Sequence, residues 1–413
     1  MEKQRREERE GQPLPRYEIG RMLAHYRFGP EDSRRLKALE SLMVTSLPEL
    51  LPGFYDFIFS FEHARIFLHS DEILAKHRRG LQRWFRALFC GRYDSDYFRE
   101  LARISETHVR IGLPPHYVNT AFSYVREYLE RLLLSHGKSV EDLSSVNKII
   151  DINLDILSLT YREEEQQQLI GDIVLLKNVV RKGTVVPYVQ PIVRSADGVT
   201  EKFESLMRLQ DPESGRIYTV FPLIATAKSI HLYEGLMELM VEKSMRVFES
   251  LSWSFSLNLS YDDIDNRRFR QYLCHKIREF PEPDRIIFEV LETDFIEDFR
   301  VVENFLSDIR SLGCRIAVDD FGTGYSSMEN IMRLKPDYIK IDGSLIQEID
   351  RSEESLAIVR SILQMSRELG AQTVAEHVHN RIVYEIVRKL GVDYMQGYYL
   401  SEPFEASRLL QGG

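Results

Sequence analysis

The densest chemistry in the chain lies in thirteen residues, Arg315 to Ser327 (RIAVDDFGTGYSS). Ile316, Ala317 and Val318 read as a buried strand that runs straight into two adjacent carboxylates, Asp319 and Asp320. Gly322 and Gly324 follow, allowing backbone angles that other residues resist. Adjacent aspartates at a strand end repel each other and lose hydration, so they persist where a cation or a fixed positive charge compensates them. A metal ion is the first candidate. The plainer alternative is that Asp319 caps the next helix while Asp320 faces water.

The same half of the chain carries further polar groups at the ends of strand-like runs. They are Glu204 and Arg208 in KFESLMRL, Asn258 in SFSLNLS, Glu289 and Glu292 in RIIFEVLET, Lys340 and Asp342 in YIKID, Glu376 in TVAEH and Gln396 in DYMQGYYL. In SFSLNLS, alternation puts Phe255, Leu257 and Leu259 on one face and Ser256, Asn258 and Ser260 on the other. Carboxylates and an amide without cysteine form an all-oxygen donor set, which suits hard cations such as Mg²⁺ or Mn²⁺. Two such ions about 3.5–4 Å apart stabilise in-line displacement at a phosphodiester. Asp319, with two oxygens, is the natural shared ligand. Lys340 would orient the attacking water or neutralise developing charge, and Arg208 would clamp a phosphate through its planar fork. Glu292 and Asp342 can equally be salt-bridged supports of the scaffold.

Such a set needs a scaffold that brings strand ends together. From Gly183 on, eight strand-like runs, TVVPYVQPIV the first, alternate for the most part with helical stretches such as TAKSIHLYEGLMELMVEKSMRVFESL and EESLAIVRSILQMSRELG. This predicts an α/β, TIM-like (β/α)8 barrel over 183–413, with its functional groups at the C-terminal strand ends. Residues 1–16 read as a charged, disordered tail, and 17–165 as an all-α domain punctuated by turn signals at Pro30, Pro52-Gly53 and Pro114-Pro115. The helical pattern from Ser139 supplies the last helix of that domain and then a helical linker, 166–182.

One helix of the all-α domain carries chemistry. Between Ser95 as N-cap and Gly112 as stop, Tyr97, Leu101, Ile104, His108 and Ile111 share a stripe. His108 therefore faces the interior, where a neutral imidazole either satisfies a backbone carbonyl or binds a metal such as haem iron.

Composition narrows the classes. The formal net charge of −10 gives no basic footprint for nucleic acid, though metals and arginines can hold a small anion locally. No segment approaches the ~20 apolar residues of a membrane span, and the N-terminus MEKQRREERE lacks the apolar core of a signal peptide, so a cytoplasmic protein without a membrane segment is expected. Cys90, Cys274 and Cys314 are too scattered for a zinc site or a disulfide framework.

Two resemblances sharpen the reading. The run ISETHVRIGLPPHYV, Ile104 to Val118, resembles the proximal-histidine segment of the globin-coupled sensors, with GFYDFIF upstream. The likeness spans roughly residues 20–165. It implies a haem b whose iron is held by His108, with Tyr55 as the distal residue hydrogen-bonding O2, or possible ligands CO and NO, and a homodimer formed through the final helices. Another histidine, His77, sits beside Lys76, Arg78 and Arg79 and is expected to face solvent.

The second half resembles the EAL-type cyclic di-GMP phosphodiesterases. In order, it carries QPIV (Gln190 to Val193), ESLMR (Glu204 to Arg208), NLS, FEVLET, DDFGTGYSS, KID, AEHV and QGYYLSEP. The resemblance implies one metal on Glu204, Asn258, Glu289 and Asp319, a second on Asp319, Asp320 and Glu376, and Lys340 on the water. Arg208, Gln190 and Gln396 would seat the substrate, which would be hydrolysed to linear pGpG. The loop Phe321 to Ser327 would couple metal binding to dimerisation. Departures are His377 and His379 in place of a glycine and a loop-anchoring glutamate, Leu291 for a threonine, and Ser205 for an alanine. The leading expectation is a gas-regulated phosphodiesterase. The alternatives are a receptor that binds cyclic di-GMP without cleaving it, and a phosphodiesterase with a haem-free interaction domain.

Overall fold

The computed structural model describes residues 19–61, 67–68, 70–295, 298–322 and 328–411. The expected N-terminal tail and most of the loop after the double aspartate lie outside them. The chain divides into two compact units, Met1–Ile170 and Gly171–Gly413.

The first unit is helical: α1 (Ile19–His25), α2 (Pro30–Ile58), α3 (Asp71–Ala87), α4 (Ser95–Arg110), α5 (Pro115–Ser135) and α6 (Val140–Lys182). Pro52-Gly53 is not a turn, because α2 runs through both Pro48 and Pro52. Each proline costs about 3 kcal/mol in a helix interior, yet Leu47, Leu50, Leu51, Phe54 and Tyr55 are all buried along this stretch. Burial at about 1.5–3 kcal/mol per large side chain outweighs the two lost hydrogen bonds. The N-cap of α4 is Asp94, one residue before the expected Ser95; its carboxylate accepts the N–H groups of Asp96 and Tyr97. Ser139 and Asp142 open α6 with reciprocal 3.1 Å bonds. Val146, Ile149 and Ile150 near the start of α6 belong to the core of the first unit. Leu176 and Val179 near its end belong to the core of the second.

The second unit is a closed barrel. Its strands are β1 (Val185–Arg194), β2 (Thr200–Gln210), β3 (Ile217–Thr219), β4 (Ser254–Leu259), β5 (Ile286–Leu291), β6 (Arg315–Phe321), β7 (Tyr338–Ile341), β8 (Gln372–Ala375), β9 (Tyr394–Met395) and β10 (Phe404–Glu405). β2, β4, β5, β6, β7, β8 and β9 pair in parallel in that order, and β1 closes the ring between β9 and β2. β1 runs antiparallel to both neighbours, with Gln190 opposite Glu204. The first connection is therefore a hairpin rather than a helix. Asp197-Gly198, with Gly198 at φ 73°, makes its turn, and that dipeptide is a hairpin signal legible in the sequence. The expected single helix after β3 is two, Ile224–Ser229 and Tyr233–Phe248, broken at His231 with φ 57°.

Inside the barrel, Ile192, Ile287, Ala317, Tyr338, Val374 and Tyr394 form an apolar floor. Each lies two residues along its strand from Gln190, Glu289, Asp319, Lys340, Glu376 and Gln396 respectively. Strand alternation thus raises one polar layer directly above an apolar one. Lys202 shares the floor, its Nζ 3.2 Å from the Tyr394 ring centroid and 4.5 Å from that of Tyr338. Burial lowers its pKa to about 7.

Candidate active site and a second, histidine-bearing interior

Lys340 stands at the centre of the polar layer. Its Nζ is 2.6 Å from Glu289, 2.8 Å from Glu376, 2.9 Å from Asp319 and 3.8 Å from Glu204. Strand placement explains the convergence: β2, β5, β6 and β7 and the residue just past β8 carry these groups at the C-terminal ends of the parallel strands of a closed ring. Glu204 is held from both sides, by Asn258 Nδ2 at 2.9 Å on Oε1 and by Gln396 Nε2 at 2.6 Å on Oε2. Gln396 also donates to Gln190 Oε1 at 2.9 Å, and Gln190 donates to the Ser401 carbonyl at 3.0 Å. Arg208 lies farther up β2 on the same face as Glu204, its guanidinium carbon 5.4 Å from the Tyr188 ring centroid.

The electrostatics follow from burial. Desolvation works against the Lys340 ammonium, but the four carboxylates outweigh it and hold its pKa well above the usual range. Burial pushes Glu289 up to about 8 and Glu376 well above the usual carboxylate range. Burial, with Asp319 and Asp342 nearby, raises Asp320 to about 6. Glu204 is lowered on balance, since desolvation is outweighed by Lys340, Asn258, Gln396 and Arg208.

Asp319, Asp320 and Glu376 each offer an oxygen, all within 4.8 Å of one another. Among the described residues, five carboxylates converge on the one ammonium of Lys340. The surplus negative charge, and the all-oxygen donors, fit hard divalent cations.

Around the double aspartate, the described residues show what Glu292, His377, His379 and Asp342 contact, while residues 323–327 lie outside them. Glu292, read from sequence as an ambiguous support, accepts the Gly322 N–H at 3.0 Å. His379 is exposed and pairs through its ring with Asn380 at 2.8 Å and the His377 carbonyl at 3.2 Å. His377 adopts φ 53°, lies against Gly343, and its Nδ1 is 3.1 Å from Gln347 Nε2. Asp342 caps the helix Gly343–Gln347 by accepting the Ser344 N–H at 2.8 Å.

In the first unit, His108 closes the buried row Phe98, Leu101, Ala102 and Ser105 of α4. Ile111, expected on the same stripe, is 47% exposed because the helix has already ended. Burial, reinforced by His77, lowers the His108 pKa to about 4, so the ring is neutral. Its Nδ1 is buried without a hydrogen-bond partner among the described residues. His77 is not turned to solvent: while Lys76, Arg78 and Arg79 are exposed, its Nδ1 lies 2.8 Å from the Tyr55 hydroxyl. Phe57 stacks on Tyr124 at 4.9 Å and Phe61 on Tyr117 at 5.3 Å, adding aromatic surface to the unit. A neutral imidazole with an unsatisfied nitrogen, in an aromatic-rich interior, fits haem iron.

Fold and geometry define a closed barrel with a lysine-centred acidic pocket at its strand ends, preceded by a helical unit with inward-facing histidines. The chain belongs to the EAL domain family, whose model matches residues 174–403, and a Protoglobin domain matches residues 16–167. It is 30% identical over 237 residues to the cyclic di-GMP phosphodiesterase PdeB of Shewanella oneidensis, covering 56% of this chain and 28% of that protein. It is 27% identical over 294 residues to PdeF of Escherichia coli, covering 69% of this chain and 39% of that protein. The chain thus spans well under half the length of either relative. A solved structure of the PaMucR phosphodiesterase in complex with c-di-GMP superposes with a TM-score of 0.54 at 27% identity, covering 59% of this chain and 99% of that one. No helix among the described residues is long and apolar enough to cross a membrane.

Proposed function

We propose that this chain is a haem-based gas sensor, responsive to O2, that controls hydrolysis of cyclic di-GMP to linear pGpG. The observation that carries the enzymatic half is the lysine-centred ring, in which Lys340 is met by Glu204, Glu289, Asp319 and Glu376 with Asp320 alongside. Glu204, Asn258, Glu289 and Asp319 would hold one Mg²⁺ or Mn²⁺, and Asp319, Asp320 and Glu376 a second, which together would activate water and neutralise phosphodiester charge.

The protein's own groups have distinct tasks. Lys340 is held charged by its neighbours and presents a fixed donor to the water and to the developing oxyanion. Gln396 and Asn258 fix the Glu204 carboxylate. Gln190 extends that chain of amides toward the substrate side, and Arg208 offers its fork to a phosphate. Glu292 ties the start of the loop after β6 to the end of β5.

His108 would hold the haem iron and Tyr55 would line the side from which gas arrives. Leu169, Ile170 and Val174 of α6 are 46%, 61% and 52% exposed, an apolar surface that supports a homodimer.

The test is cyclic di-GMP turnover with Mg²⁺ or Mn²⁺ on one haem-loaded preparation, compared between its gas-free ferrous and O2-exposed forms. Different turnover supports both halves. Equal turnover removes O2 control and leaves the enzyme. Absence of turnover in both forms, with nucleotide still bound, overturns the hydrolase reading.

A further inference from the structure

Among the described residues, the first unit directs a second histidine besides His108 into its interior. His108 comes from α4 and His77 from α3, and the charge of His77 bears on His108. The His77 ring is held in place. Its Nδ1 is bonded to the Tyr55 hydroxyl at 2.8 Å, and the two rings meet edge-on with centroids 5.8 Å apart. Tyr55 is fixed in turn, 9% exposed on α2 and packed against Phe54 and Phe59. An imidazole engaged through one nitrogen presents the other, and a hydrogen bond at the far nitrogen is what orients a metal-binding histidine.

We propose that His77 is the axial ligand opposite His108 in the gas-free haem of this unit, steered by Tyr55, so that a gas must displace His77 to bind. This rests on the reading that the unit holds haem. Coordination through Nε2 leaves the ring proton on Nδ1, so His77 donates to the Tyr55 oxygen. The tyrosine O–H is then free to donate to the incoming diatomic. One hydrogen-bonded pair thereby supplies both the competitor that guards the iron and the donor that greets its replacement.

The experiment is anaerobic absorption spectroscopy of the ferrous full-length chain reconstituted with haem, with CO-binding kinetics, on the unsubstituted protein and His77→Leu. The expected spectrum of the unsubstituted protein is six-coordinate and low-spin, with resolved visible bands, and its CO-binding rate reaches a plateau as CO is raised. His77→Leu should keep the Soret band, become five-coordinate and high-spin, and bind CO roughly tenfold faster or more, because the competing ligand no longer reduces the competent fraction. A five-coordinate, high-spin spectrum from the unsubstituted protein overturns the proposal and leaves the haem reading standing. Absence of any Soret band overturns both. Should the variant fail to fold, the spectrum of the unsubstituted protein decides alone.

Discussion

The Lys340 ammonium lies 2.6 Å from Glu289 Oε2, and both side chains are only 2% exposed. The ammonium would not be tolerated at this depth without the carboxylates around it, and Glu204, Asp319 and Glu376 share the same lysine. Replacing Lys340 by Met should therefore destabilise the metal-free protein by about 3–5 kcal/mol, the cost of leaving a buried ion partner uncompensated. Hydrolysis should fall by roughly 10²–10³-fold with loss of the donor. Urea melts in EDTA, read beside cyclic di-GMP turnover, check both; an unchanged melt would remove the lysine from its central place.

Metal dependence should vary with pH. The folded pKa of Glu289, about 8, lies above its ordinary 4.5, so its contribution to stability is full below that ordinary value and is lost as pH rises through about 8. Glu376 and Asp320 are raised in the same sense. Lys202, lowered to about 7, works in the opposite direction above that pH, but equally with and without metal. The stabilisation by Mg²⁺, taken as the difference between melting temperatures in Mg²⁺ and in EDTA, should therefore grow between pH 6.5 and pH 8, as fewer protons compete for the carboxylates. A difference that shrinks over that interval contradicts the assignment of these groups as ligands.

Glu292 ties the end of β5 to Gly322, the first residue after β6. Glu292→Ala removes a bond to a charged acceptor worth about 1.5–3 kcal/mol, and should lower turnover by a corresponding ~10–100-fold. His379→Glu, which restores the family's residue at an exposed position, should change turnover by no more than about threefold, in keeping with the small worth of surface charges. Steady-state hydrolysis of the two variants side by side would reverse this ranking if position 379 were the anchor.

Gly397 places Gln396 over Glu204. A Cβ added there would lie 2.2 Å from the Val378 carbonyl oxygen. Gly397→Ala should cost about 1–3 kcal/mol through forced backbone movement and weaken substrate binding along with it. Thermal melts and a substrate titration test the pair of effects together.

His108→Ala should abolish stable haem loading while leaving phosphodiesterase folding intact. The Soret absorbance per protein is the measure, and an unaltered haem complement in the variant would assign the iron to another residue.

Much of the barrel and its polar layer was legible because strand alternation and strand-end chemistry are local. RIIFEVLET, RIAVDD and YIKID each show an apolar run leading into charge, and any parallel barrel brings such ends together. The reversal of β1 was announced by Asp197-Gly198 but is easily missed, since a reversed strand has the same alternation as a parallel one. Residues whose role depends on a distant partner were harder. Glu292 is defined by the Gly322 amide, thirty residues away. His77 looks solvent-facing among basic neighbours until α2 places the Tyr55 hydroxyl against it.

The sequence by itself determined the two-part architecture, the strands and helices, and which side chains stand at strand ends, because hydrophobic period and residue chemistry are properties of short segments. Only the tertiary structure decided which of those side chains meet. Lys340 reaches four carboxylates, Glu204 is held between two amides and His77 turns toward Tyr55 because closure of the barrel and packing of the helices bring together groups separated by tens to nearly two hundred residues. Such contacts depend on register and packing over the whole unit, and no local pattern encodes them.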